Sequence, residues 1–124
     1  MLPKILLMDD EHDTLNMLAM MLRLSGFEVA TAETGQKAVA LAAEFKPDAL
    51  ILDVMMPDIS GIEVLRKITS QSAGQPTAIF LSASIRPGDQ EAGLAAGAYA
   101  YLIKPVLREK LIATVKEALA TRSA

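Results

Sequence analysis

Ile5-Leu6-Leu7-Met8-Asp9-Asp10-Glu11 decides the fold: an apolar run that ends abruptly in three acids. Consecutive apolar residues without alternation suit a strand covered on both faces, as in a parallel sheet flanked by helices. The acids then fall at the strand's carboxyl end, where open α/β sheets place their sites. The same grammar repeats along the chain. Ala49-Leu50-Ile51-Leu52 closes on Asp53, Thr77-Ala78-Ile79-Phe80-Leu81 closes on Ser82, and Tyr101-Leu102-Ile103 closes on Lys104. Phe27 to Thr31 supplies the remaining strand.

Segments of helical period separate these runs. Asp13 to Leu24 reads as a helix stopped by Gly26. Thr34 caps a helix running to about Phe45, with Pro47 just beyond, and Ser60 caps Ile62 to Ile68. A helix follows Pro87 and ends near Gly97, and Leu107 to Ala120 forms the last one. Gln71 to Gln75 reads as a polar loop, with no long linker, repeat or low-complexity segment elsewhere. Five βα units in a row predict an α/β fold: one doubly wound, five-stranded parallel sheet, in a single domain over residues 1–124.

Composition narrows the chemistry. The chain has 124 residues, 52% of them hydrophobic, enough to bury a core without staples. It has no cysteine and one histidine, His12, which excludes disulfides, thiolate nucleophiles and multi-histidine metal sites. The remaining ligands are oxygens, which favour a hard cation such as Mg²⁺. A net charge of −3 without a basic patch argues against direct nucleic-acid binding. The N-terminal apolar run meets acid too soon for a signal peptide, and no stretch is long enough to span a membrane. A cytoplasmic protein is expected.

The residues after the strands form a set: Asp9 and Asp10, Asp53, Ser82 and Lys104. Alone, each has an ordinary reading as a solvated acid, a loop serine or a surface ion pair. Asp53 is harder to dismiss, because an acid directly after three buried apolar residues needs a partner. If the strands are neighbours, the carboxylates converge. Two like charges about 4 Å apart repel by roughly 4 kcal/mol at an effective dielectric of 20, so the cluster needs a counter-ion. Lys104 supplies a compact positive charge at its rim, and the Ser82 hydroxyl can donate to an oxyanion.

Four segments carry a resemblance. They are Ile5 to Glu11, Leu52-Asp53-Val54-Met55-Met56-Pro57-Asp58-Ile59-Ser60-Gly61, Leu81-Ser82-Ala83, and Gly97 to Pro105. In this order and spacing the chain resembles the receiver domains of bacterial response regulators in two-component signalling, over nearly its whole length. The resemblance implies a flavodoxin-like (βα)5 fold with strand order 2-1-3-4-5. It implies that Asp53 is the phosphoacceptor. Asp9 and Asp10 would hold Mg²⁺, Asp10 more directly, with Asp53 and the backbone carbonyl of Met55 as further ligands. Ser82 and Lys104 would contact the phosphoryl oxygens, Tyr101 would be the switch residue that turns inward with Ser82, and Pro105 would follow a cis peptide bond. The donor would be a histidine kinase or histidine phosphotransfer protein. The output would pass through the fourth helix, fifth strand and fifth helix to a downstream protein or to an effector domain outside this sequence. Such a protein is a signalling switch and catalyses only its own phosphorylation and dephosphorylation. Serine stands at 82 where threonine is commoner, and Val106 stands where phenylalanine often follows lysine-proline. A flavodoxin would need a hydroxyl- and glycine-rich loop in place of Asp9-Asp10-Glu11. An aspartyl-phosphate hydrolase would need its nucleophile after the first strand and a cap domain.

Three features lie outside the shared segments. At about 100° per residue, Leu15, Leu18, Ala19 and Leu22 share one face of the first helix and should pack on the sheet. The opposite face holds Met17, Met20, Met21 and Leu24, an adaptable surface read as the docking face for the phosphodonor, with cover of one or two of them by the last helix, or self-association, as the alternatives. Gly88 and Gly93 weaken the fourth helix, read either as a plain surface helix or as a segment that repositions easily. His12, Arg86 and Arg108 read as ordinary surface residues.

Overall fold

The computed structural model describes residues 2–71 and 76–123. The strands are β1 (Lys4–Met8), β2 (Glu28–Ala32), β3 (Ala49–Leu52), β4 (Thr77–Ser82) and β5 (Ala100–Ile103). The helices are α1 (His12–Leu24), α2 (Gly35–Phe45), α3 (Gly61–Gln71), α4 (Pro87–Ala95) and α5 (Arg108–Ser123). All strand pairs are parallel, and the sheet order is β2-β1-β3-β4-β5. Of the expected polar loop, Gln71 ends α3, and residues 72–75 lie outside the described residues. Among the described residues no helix is long and apolar enough to cross a membrane.

The unalternating strands are explained by two cores. Ile5, Leu7, Ile51 and Ile79 point to one face of the sheet, where they meet Leu15, Leu18 and Leu22 of α1 and Leu111 and Val115 of α5. Leu6, Met8, Leu50, Leu52 and Phe80 point to the other, against Ala38 and Ala42 of α2 and Val64, Leu65 and Ile68 of α3. Each fully buried side chain of this size contributes about 1.5–3 kcal/mol by leaving water. The face of α1 expected to pack inward, Leu15, Leu18, Ala19 and Leu22, is the buried one.

The element boundaries differ from the sequence reading where a backbone group is already engaged. Phe27 N–H bonds back to Leu22 O and helps close α1, with Gly26 at φ 97° making the turn. The second strand therefore starts at Glu28 and runs one residue further, to Ala32. Gly93 departs more seriously from its reading as a weak point of a surface helix. It is buried, and a Cβ built on it would lie 2.9 Å from Phe80 Cδ2 and 3.1 Å from Tyr101 Cδ2. The glycine lets α4 approach β4 and β5 closely. At Gly88 nothing lies within 4 Å of such a Cβ, so no close approach requires a glycine there.

Register brings the functional ends level. Met8 pairs with Leu52 and with Ala32, and Leu52 pairs with Phe80. Ladder-like bonds continue one residue further, from Asp9 N–H to Ala32 O at 3.2 Å and from Asp53 N–H to Met8 O at 3.1 Å. Asp9 and Asp53 thus leave adjacent strands side by side.

Candidate functional site

Asp9 and Asp53 are buried, at 2% and 6% exposure, and Asp10 is exposed beside them. Carboxylate oxygens of the three lie within 4.8 Å of one another. Lys104 reaches in from the end of β5: its Nζ donates to Asp9 Oδ2 at 2.7 Å and to Asp53 Oδ2 at 3.0 Å. Each buried carboxylate also accepts a backbone N–H on its other oxygen. Glu11 N–H donates to Asp9 Oδ1 at 2.9 Å, and Met55 N–H donates to Asp53 Oδ1 at 3.1 Å.

The electrostatics of the cluster are unequal. Burial raises the pKa of Asp53 above the usual carboxylate range, and the Asp9 charge adds to this, against the opposing pull of Lys104 and the Met55 N–H. Burial alone would lower Lys104, but its bonds to two carboxylates outweigh that and raise it. The two shifts fit together because one ammonium divides its attention between two acids. It gains from both, while Asp53 receives only part of its compensation. Three carboxylates against one ammonium leave an excess of negative charge among hard oxygen donors. That donor set fits a hard divalent cation.

The loop after β3 is tied down at several points. Gly61 N–H donates to Val54 O at 2.9 Å, and a Cβ on Gly61 would lie 2.1 Å from the carbonyl oxygen of Asp53. Any side chain there would displace the strand end that carries the buried acid. Asp58 caps α2 from a distance, accepting Gly35 N–H on Oδ1 and Gln36 N–H on Oδ2, each at 3.0 Å. Those two bonds hold its carboxyl below the usual range. Ser60 Oγ accepts Glu63 N–H at 3.2 Å, the cap expected for α3. Gly61 and Asp58 went unread as individual residues, because their partners are remote in sequence and only the motif Pro57 to Gly61 signalled them.

On the other side of the site, Ser82 is fully buried at the end of β4, and its Oγ accepts Ser84 N–H at 3.2 Å. Tyr101 OH donates to Ser84 O at 3.4 Å, and its ring lies 6.3 Å from that of Phe80, tilted by 50°. The Lys104–Pro105 peptide bond is cis. Beside Lys104 opens a mainly apolar groove of about 430 Å³, between Met17 and Leu18 of α1 and Leu81, Pro105 and Val106.

The outer face of α1 divides. Met17, Met20 and Leu24 are exposed, at 57%, 63% and 79%. Met21 is only partly exposed and packs against the core shared by α1 and α5, so the apolar outer face is smaller than the helical period suggested. His12 is exposed and hydrogen-bonds Glu33 and Asn16. Arg86 is exposed, as expected of a surface charge, and its Nε lies 3.2 Å from Asp89 Oδ2.

The profile of the response regulator receiver domain family matches residues 5–116. The transcriptional regulatory protein PrrA of Mycobacterium bovis is 43% identical over 120 residues, 97% of this chain and 51% of that protein. The chain thus spans about half the length of the curated relatives it matches. A CheY-like receiver domain protein from Methanospirillum hungatei superposes with TM-score 0.93 at 28% identity, covering 99% of this chain and 98% of its own. The chemotaxis protein CheY4 of Vibrio cholerae gives TM-score 0.89 at 31% identity, over 95% of this chain and 99% of its own. The chain belongs to the response regulator receiver domain family. It is a receiver domain of the two-component type, with the doubly wound sheet that this family shares.

Proposed function

We propose that residues 1–124 work as one receiver unit in which Asp53 takes a phosphoryl group from the phosphohistidine of a histidine kinase or histidine phosphotransfer protein. The observation that carries this reading is the buried Asp53 carboxylate, sharing Lys104 with Asp9 at the carboxyl ends of adjacent strands. Phosphoryl transfer asks for an in-line nucleophile and neutralised oxygens, and little more. An Asp53 oxygen bonds to phosphorus as the phosphorus–nitrogen bond to the donor histidine breaks, and the imidazole leaves with that electron pair. Lys104 already touches Asp53 and stands ready to meet the phosphoryl oxygens. The Ser82 hydroxyl donates to one of them, and backbone N–H groups after β3 assist.

Asp9, Asp10, Asp53 and the Met55 carbonyl would hold Mg²⁺, which supplies further neutralisation of phosphoryl charge. The chain catalyses only its own phosphorylation and the hydrolysis that reverses it. The donor docks on α1, where Met17 and Met20 are exposed and Met17 lines the same groove as Lys104. The output passes through α4, β5 and α5, with Tyr101 as the switch residue, to a downstream protein or an attached effector. The domain itself makes no contact with nucleic acid or membrane, and its place is the cytoplasm.

Beryllofluoride with Mg²⁺ mimics the phosphoryl group and tests this directly. Amide resonances of Met55 and Ser84 are expected to shift on titration in the native chain and to stay unmoved in Asp53→Asn. An equal response in Asp53→Asn would move the phosphoacceptor elsewhere.

A further inference from the structure

A second polar cluster lies between β4 and α4 and shares only Ser82 with the phosphoacceptor site. Ser84 is its centre. Its N–H donates to Ser82 Oγ at 3.2 Å, and its carbonyl accepts Tyr101 OH at 3.4 Å. Its hydroxyl donates to Asp89 Oδ2 in the first turn of α4 and accepts Arg86 N–H at 3.4 Å. One residue is therefore bonded by its backbone to Ser82 and Tyr101 and by its side chain to α4.

The Asp89 bond is the strong member of the set. A hydroxyl donating to a carboxylate makes a bond roughly twice as strong as a neutral one. That bond, and then the Arg86 charge, hold the Asp89 carboxyl below the usual range. Asp89 is only 28% exposed in its side chain, whereas Arg86 is 75% exposed. An ion pair with so exposed a partner contributes little. The Ser84–Asp89 contact, and not the Arg86 pair, fixes the loop. Further along α4, Gly93 presses on Phe80 and Tyr101, so the helix is held both by this contact and by its packing.

We propose that Asp89 is a positioning residue: through the Ser84 hydroxyl it fixes the loop between β4 and α4 that hydrogen-bonds both Ser82 and Tyr101, and so passes the state of the Asp53 site to α4. The inference rests on the receiver reading above and adds a carboxylate latch to it. A movement of Ser82 toward a phosphoryl group pulls on Ser84 N–H. With Ser84 anchored to Asp89, that pull is transmitted to Tyr101 and to the first turn of α4. Without the anchor, the hydroxyl rotates freely and the loop absorbs the displacement.

Nuclear magnetic resonance of the full chain, titrated with beryllofluoride and Mg²⁺, separates the two claims. Met55 reports binding at Asp53; Tyr101 and residues 87–95 report transmission. Ser84→Ala and Asp89→Ala are each expected to reduce the saturating shift at Tyr101 and α4 by about twofold or more, while Met55 still saturates. The double variant should be no worse than either single one, since the two changes break the same contact. Ser84→Thr, which keeps the hydroxyl, should restore transmission, and Arg86→Ala should leave it near the native level. A purely structural role would lower the melting temperature of Asp89→Ala without changing the ratio of the Tyr101 shift to the Met55 shift, and that result overturns the proposal. So does a double variant whose losses add. A native chain silent at Met55 would instead sink the receiver reading beneath it.

Discussion

At the scale of single residues, Asp53 combines two demands that oppose each other. A nucleophile must be ionised, yet burial disfavours its charge. A carboxyl whose pKa is raised by folding binds its proton more tightly in the folded chain than in the unfolded one. Stability therefore falls as pH rises from the ordinary carboxylate value through the raised one, and the deficit is fully present above that window. Asp53→Asn removes the titrating charge, while Lys104 keeps Asp9 as a partner. Without divalent cations, this variant is expected to melt at a higher temperature than the parent at pH 7, with the gap closing as pH falls toward the ordinary carboxylate value. Thermal unfolding followed by circular dichroism across that range measures it; a lower melting temperature for Asp53→Asn at pH 7 would mean that the Lys104 pair outweighs burial. The convergence of Asp9, Asp53 and Lys104 was legible because each directly follows an apolar run, and parallel strands bring such ends together. The Ser84–Asp89 contact was not, since a loop serine and a first-turn acid are ordinary in any sequence.

At the scale of elements, hydrophobic period gave α1 its inward face correctly and left open how much of its outward face α5 would cover. Period assigns directions around an axis, not the width of the neighbouring helix. Core packing beside α5 half-covers Met21, while Met17, Met20 and Leu24 remain exposed. Gly93 shows the complementary limit. Helix propensity treats glycine as a loss, whereas here the missing Cβ is what admits the rings of Phe80 and Tyr101. The docking assignment for α1 predicts a split between donors. Met17→Lys places a charge at the mouth of the groove beside Lys104 and should slow transfer from the cognate phosphohistidine protein by about tenfold, equivalent to about 1.4 kcal/mol. Acetyl phosphate needs no docking surface, so its reaction should remain near the native rate. Equal slowing with both donors would assign Met17 to the fold, and a dimer in sedimentation that Met17→Lys abolishes would assign the face to self-association.

At the scale of the whole molecule, strand order does the organising. With β1 and β3 adjacent inside the sheet, two acids from separate βα units meet, and β5 brings Lys104 to them across β4. The same order sets Ser82 and Tyr101 on neighbouring strands, between the site and α4. Fold class and strand order were readable from five apolar runs and a shared set of motifs. Loop ties such as Asp58 to α2 were not, because they link residues over twenty positions apart with no local signature. The central claim is that Asp53 accepts the phosphoryl group, and intact-mass spectrometry after incubation with acetyl phosphate and Mg²⁺ tests it most directly. The native chain should gain the mass of one phosphoryl group, lose the gain when the divalent cation is chelated, and show the label on Asp53 after borohydride reduction and peptide mapping. Asp53→Asn should gain nothing at that position, and uptake by Asp53→Asn at the native rate would contradict the account.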